Sequence, residues 1–102
     1  MKKFTLYLGL NDKNTLSQKI NTIEAYKIAM NIILQYTSGA TIFEASGYYK
    51  HEDGRTTIEK TLRIELLFIE RNSVLTIIDT LKAAFNQESI ILQEETISSE
   101  LI

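Results

Sequence analysis

"ATIFEASGYYKHEDGRTTIEKTLRIELLFIE", residues 40–70, decides how this chain folds. Asp53-Gly54 is a strong short hairpin signal, and it stands between two runs rich in β-branched and aromatic residues. From Thr56 to Glu70 the pattern alternates. Ile58, Leu62, Ile64, Leu66 and Phe68 fall on one face; Glu59, Thr61, Arg63 and Glu65 fall on the other. That is a long strand with one buried face. Before the turn, "ATIFEASGYY" carries no helical period and reads as its partner strand, with Gly47 marking a bulge or a close backbone approach. Tyr48 and Tyr49 alternate, so one is expected inside and the other outside.

Outward from this hairpin, each flank adds a strand and a helix. Phe4, Leu6, Leu8 and Leu10 alternate with Thr5, Tyr7 and Gly9, which predicts a half-buried strand over residues 3–10. The polar "NDKNTLSQK" reads as a loop. Asn21 with Glu24 resembles a capping box, and Ala25, Ile28, Ala29, Ile32, Ile33 and Tyr36 recur at helical spacing. A helix is predicted over 22–37, stopped near Ser38-Gly39. After the long strand, Asn72 or Ser73 is expected to cap a second helix with Val74, Ile77, Ile78, Leu81, Ala84 and Phe85 in one stripe. "SIILQEETI" predicts a last strand, and residues 98–102 a loose tail behind a single domain spanning 1–97.

The order is βαββαβ. This is the α+β, ferredoxin-like split βαβ arrangement: a four-stranded antiparallel sheet with two helices on one face. The chain has no proline to interrupt any element.

Composition narrows the function. A chain of 102 residues has room for one domain, and without cysteine it forms neither disulfides nor thiolate nucleophiles nor zinc–thiolate sites. Eleven basic and thirteen acidic residues leave a net charge of −2, with the basic residues scattered, which disfavours nucleic-acid binding. "MKKFTLYLGL" starts like a signal peptide, but its apolar run is short and alternating and lacks a cleavage site, so it reads as a strand. No run suits a membrane helix. A cytoplasmic protein is the default expectation.

The sheet face away from the helices is where a site is expected. Thr5 and Tyr7 should lie there beside Glu59, Thr61, Arg63, Glu65 and Leu67. The plainer reading is a solvated row of ion pairs. The sharper reading is that Tyr7, Tyr49, Arg55, Glu59, Arg63 and Glu65 contact a ligand or a partner, or that the face is covered in a homo-oligomer. His51 has no second imidazole, so no metal site is expected. No nucleophile elbow, Walker or HExxH motif occurs, and no cofactor is implied.

Some of these residues also carry a resemblance. Leu6, Tyr7 and Gly9, then Gly39 and Thr41, then Gly47 and Tyr49, then Gly54, Arg55, Glu59 and Thr61 resemble the motif pattern of a small bacterial family. That family is labelled only as a domain of unknown function. Leu8 stands where its pattern has phenylalanine and Tyr49 where it has tryptophan, and the resemblance spans about residues 4–68. At the level of fold, the arrangement is similar to PII-like signalling proteins. That likeness implies trimers binding nucleotides between subunits, with a mobile arm between the second and third strands. Here the arm would be the short "HEDGR" hairpin, and no Gly- and basic-rich phosphate-gripping segment accompanies it.

The leading expectation is therefore a non-enzymatic, oligomeric small-ligand-binding or regulatory module. The alternative is a protein-interaction module of a phage or mobile element, without a ligand. A second alternative is a small enzyme using the open sheet face.

Overall fold

The computed structural model describes residues 1–102. Strand β1 (Lys2–Gly9) is followed by helix α1 (Thr22–Ile33), the hairpin β2 (Thr41–Lys50) and β3 (Thr56–Leu66), helix α2 (Arg71–Phe85) and strand β4 (Ile91–Thr96). The four strands form one antiparallel sheet in the order β2-β3-β1-β4. The predicted α+β, ferredoxin-like arrangement is the one the chain adopts.

Strand periodicity sets the core. Phe4, Leu6 and Leu8 of β1 and Leu62, Ile64 and Leu66 of β3 stack on the helix-facing side. They meet Ala25, Ala29 and Ile33 of α1 and Val74, Ile77, Ile78, Leu81 and Phe85 of α2. The Val, Leu, Ile and Phe side chains among them each contribute about 1.5–3 kcal/mol when fully buried, which is what orders a sheet of this size. Asn21 caps α1 as expected, its side chain accepting from the Glu24 backbone N–H at 2.9 Å.

Several boundaries differ from expectation. Helix α1 ends at Ile33, and the bonds Gln35 N to Ile32 O and Tyr36 N to Ile33 O wind the chain into tight turns well before Gly39. Helix α2 starts earlier than either candidate cap allows: its N-cap is Glu70, two residues before Asn72 and three before Ser73, and Glu70 makes no side-chain capping bond. Ala84 is exposed, off the buried stripe. Strand β3 stops at Leu66, and Phe68 has left the sheet with a positive φ of 56° and lies in solvent. Ile58 sits beyond the reach of the helices and is exposed despite its register with the core residues.

The hairpin is longer than the body it belongs to. Strand β1 pairs with β3 only from Thr61 to Leu66, so rungs 47–50 of β2 face 56–59 of β3 with no third strand beside them. Both Tyr48 and Tyr49 are consequently exposed, where one was expected to be buried. Gly47 causes no bulge, because the register runs unbroken through Gly47 opposite Glu59. The turn uses three residues: His51 N donates to Arg55 O at 2.8 Å, Gly54 N donates to His51 O at 3.0 Å, and Gly54 takes a φ of 89°. Glycine adopts that conformation without steric cost, so Asp53-Gly54 marks the turn as predicted. No helix is long and apolar enough to cross a membrane.

Candidate functional site

All the strand residues singled out from the sequence share the face that the helices leave open. The structure divides them into two clusters, about 13 Å apart along β3 at the usual strand rise. Glu59, Tyr49 and Arg55 surround a cleft at the hairpin end. Tyr7, Arg63 and Glu65 lie at the centre of the sheet.

The cleft begins with a missing side chain. Gly9 ends β1 next to Glu59, and a Cβ placed on Gly9 would stand 2.6 Å from the Glu59 carboxyl carbon and oxygens. Glu59 therefore lies flat across the end of β1, in space that only glycine leaves free. It is 9% exposed, and its Oε2 accepts from the Asn11 backbone N–H at 2.8 Å. Gly47 lies near Tyr49 without being required there: a Cβ on it would stand 3.4 Å from the Tyr49 hydroxyl, an ordinary van der Waals contact. Tyr49 is half exposed as a residue, but its hydroxyl end is turned in beside Glu59: the phenol's pKa is raised, first by that partial desolvation and then by the charge and hydrogen-bonding of Glu59. A neutral phenol thus stands beside a buried carboxylate.

The loop after β1 forms the opposite wall. Asp12 accepts from the backbone N–H groups of Asn14 at 2.8 Å and Thr15 at 3.0 Å, while Asn86 Nδ2 donates to its other oxygen at 2.9 Å. The hydrogen bond from Asn86 leads these in holding its carboxyl down at about 2, so Asp12 is charged throughout the neutral range. Gln87 Nε2 donates to Asn11 O at 2.6 Å. The loop is in this way fastened to the C-terminal end of α2, where Asn86 takes a left-handed φ of 49°. It holds Lys13 and Leu16 against the cleft, which has a volume of about 340 Å³ and is also lined by His51, Arg55, Thr57 and Tyr49. His51 Nε2 and Thr57 Oγ1 are 2.7 Å apart. Arg55 Nε reaches Asp53 Oδ2 at 2.6 Å, leaving its charge on the rim.

The second cluster is closed. Tyr7 is directly opposite Arg63 in the ladder, and the guanidinium lies between the rings of Tyr7 at 5.6 Å and Phe43 at 5.3 Å. Glu65 Oε2 takes Arg63 Nη2 at 3.2 Å and Lys3 Nζ at 3.1 Å. Thr5 is fully buried beneath, and its Oγ1 and Arg63 Nε have no partner. Cation–π contacts on both sides together with the ion pair to Glu65 hold Arg63 in place. It forms the charged row the sequence suggested, with Glu59 outside it. No three side chains of His, Cys, Asp or Glu come together in a group able to hold a metal.

In the sequence, Asn11, Asp12, Lys13 and Leu16 belong to a stretch that reads only as a polar loop. Their signal was local: Asp12 followed by Asn14 and Thr15 is a side-chain-capped turn. Its fastening to Asn86 depends on tertiary contact.

Comparison with known proteins places this geometry in a family. The model of DUF3574, described as a protein of unknown function, matches residues 3–100. The chain belongs to the DUF3574 family. The match runs well past the stretch on which the sequence resemblance rested. No curated protein matches by sequence. Among solved structures, a phage SAM lyase in complex with S-methyl-5'-thioadenosine is similar at a TM-score of 0.71 and 18% identity, over 92% of this chain and 79% of that one. CutA1 from Oryza sativa is similar at 0.60 and 15% identity, over 99% and 84%. The periplasmic divalent cation tolerance protein CutA from Archaeoglobus fulgidus gives 0.55 and 14%, over 99% and 88%. At these identities the likeness is one of fold.

Proposed function

We propose that this DUF3574 chain is a homo-oligomeric small-ligand-binding module, in the regulatory manner of PII-like proteins, whose ligand enters the cleft between Glu59, Tyr49 and Arg55. The observation that carries the reading is the Glu59 carboxylate, 9% exposed and in the wall of an open cleft. Gly9 clears the room for this carboxylate, which the Asn11 backbone N–H holds at the end of the strand. An ionised carboxylate only accepts hydrogen bonds, so its complement is a ligand with hydroxyl or amine donors. Lys13 and Arg55 on the rim suit a group of opposite charge on the same ligand. The ribose hydroxyls of a nucleoside meet the first demand, and a nucleoside derivative that carries a phosphate or a carboxylate meets both. The fold likeness to a SAM lyase holding S-methyl-5'-thioadenosine supports the same choice.

A second reading rests on the same pair. A phenol kept neutral beside a buried carboxylate is also a proton-relay arrangement, the form a small enzyme on this face would take. Calorimetric titration with S-methyl-5'-thioadenosine tests the leading reading. Binding should saturate, and Glu59→Gln should weaken it by about tenfold or more, since a charge-assisted hydrogen bond is lost. Incubation with S-adenosylmethionine and chromatography of the products separates module from enzyme. Saturable binding without turnover supports the module; turnover lost in Glu59→Gln supports the enzyme. Neither binding nor turnover across a panel of nucleosides and nucleotides would leave the ligand-free interaction module.

A further inference from the structure

Leu16 carries the one apolar side chain in the polar loop after β1, and the core of the chain explains neither its conformation nor its exposure. Its φ is 58°, in the left-handed region that glycine enters freely and a leucine enters only against a clash of its Cβ with the backbone. The turn itself demands that conformation. Leu16 N donates to Asp12 O and Asp12 N donates to Ser17 O, both at 2.8 Å, closing residues 12–17 on themselves. A glycine would close the same turn with less strain. What glycine lacks is the isobutyl group, and Leu16 is 72% exposed, so that group adds little to the packing of its own chain.

The group does line the cleft. Among the side chains around that space, only Leu16 and Tyr49 offer a large apolar surface, and they stand on opposite walls, one on the loop and one on β2. Tyr49 is 51% exposed, so its ring is open to contact as well. The volume of about 340 Å³ is at the small end of ligand sites, which run from about 300 to 1,000 Å³. Glu59 answers hydroxyls and Lys13 and Arg55 answer an anion, but none of the three answers a ring. Strained backbone at the wall of a cleft is also where ligand clamps hold their side chains.

We infer that Leu16 and Tyr49 are the two jaws of a clamp on a flat heteroaromatic ring, and that Leu16 makes the cleft prefer a base-bearing sugar to the bare sugar. This clamp rests on the ligand-binding reading of the cleft and adds to it the residues that contact the base. An aliphatic side chain laid on one ring face removes apolar surface from water, while a tyrosine ring stacks offset on the other. Asp12 ties the loop to Asn86, so Leu16 is in position before the ligand arrives and binding bears little cost of ordering it.

Calorimetric titration with adenosine 5'-monophosphate and with ribose 5-phosphate, the same molecule without its base, tests the clamp. The wild type should bind the nucleotide at least about tenfold more tightly than the sugar phosphate. Leu16→Ala keeps the Cβ and the backbone and removes the rest of the side chain. It should close most of that gap by weakening the nucleotide, with the sugar phosphate unchanged. Leu16→Gly should lose the same preference and melt at or above the wild-type temperature, because the left-handed strain goes with the Cβ. A preference that survives in both variants, or an equal loss for both probes, overturns the inference and leaves the cleft reading standing. A Leu16→Gly chain that melts several degrees lower does the same, since the leucine would then be packed by its own fold. A wild type that binds neither probe overturns the clamp, and the cleft reading falls with it if S-methyl-5'-thioadenosine is not bound either.

Discussion

The carboxylate of Glu59 occupies the place where a side chain on Gly9 would be, 2.6 Å from a Cβ built there. Gly9 has no positive φ, so its backbone does not require glycine; the space does. In Gly9→Ala the obstruction is the far end of a flexible side chain, which can swing away. Stability should change by less than about 1 kcal/mol, as for other unstrained glycine replacements. The Asn11 N–H loses its partner, and nucleoside binding should fall as far as in Glu59→Gln. Denaturant melts and calorimetry measure the two effects. A loss of several kcal/mol with binding retained would show that the glycine serves packing and not the carboxylate.

The same pair makes a prediction about Tyr49. Its phenol titrates above the ordinary tyrosine value of 10.0, through burial and then through Glu59. Glu59→Gln removes the negative charge and leaves the burial. The tyrosinate absorbance step assigned by comparison with Tyr49→Phe should therefore move down in pH and remain above the ordinary value. If the step does not move, the phenol and carboxylate are not coupled, and the relay reading of the cleft loses its basis.

How much of this was legible beforehand follows from the range of each interaction. Strand alternation and helix spacing are local, so Leu6, Leu62, Ile64, Val74 and Ile77 declared their faces, and the order of elements followed from Asp53-Gly54. The open face was legible for the same reason: Tyr7, Glu59, Arg63 and Glu65 share a parity. What alternation does not report is where a neighbouring element stops. Ile58 has the parity of Leu62 but no helix above it, and Phe68 has the parity of Leu66 but no strand beside it. Helix α1 ended early for a related reason: Tyr36 keeps the helical spacing, yet it is exposed and the chain has already turned toward β2. The cleft was half legible. Tyr49, Arg55 and Glu59 were in view, while Gly9, Asn11 and Asp12 joined them only through contacts that cross about 50 to 75 residues of sequence.

The end of β3 at Leu66 is measurable. Leu62 is fully buried in the helix-facing core, and Leu62→Ala should destabilise the chain by about 2–5 kcal/mol. Phe68 belongs to the same alternating set but is 59% exposed, and Phe68→Ala should cost less than about 1 kcal/mol. Urea melts of the two variants give the comparison directly. Similar losses would mean that Phe68 is packed in solution and that β3 continues beyond Leu66.

Asp12 gives the loop a pH dependence. The hydrogen bond from Asn86 Nδ2, followed by those from the Thr15 and Asn14 backbone N–H groups, depresses its pKa from 3.8 to about 2 in the folded chain. A group with a lower pKa when folded binds protons more tightly in the unfolded chain. Its contribution is therefore complete above about pH 4 and is lost as the pH falls toward 2. Asp12→Ala should be less stable than the wild type at neutral pH, with the gap narrowing across that acidic window. Because the same carboxylate fastens the loop carrying Lys13 and Leu16 to α2, the variant should also weaken nucleoside binding at neutral pH while Glu59 stays in place. Thermal melts from pH 7 down to pH 2, with binding measured at neutral pH, check both. A gap that stays constant with pH would mean that Asp12 acts through shape alone, and its charge contributes nothing.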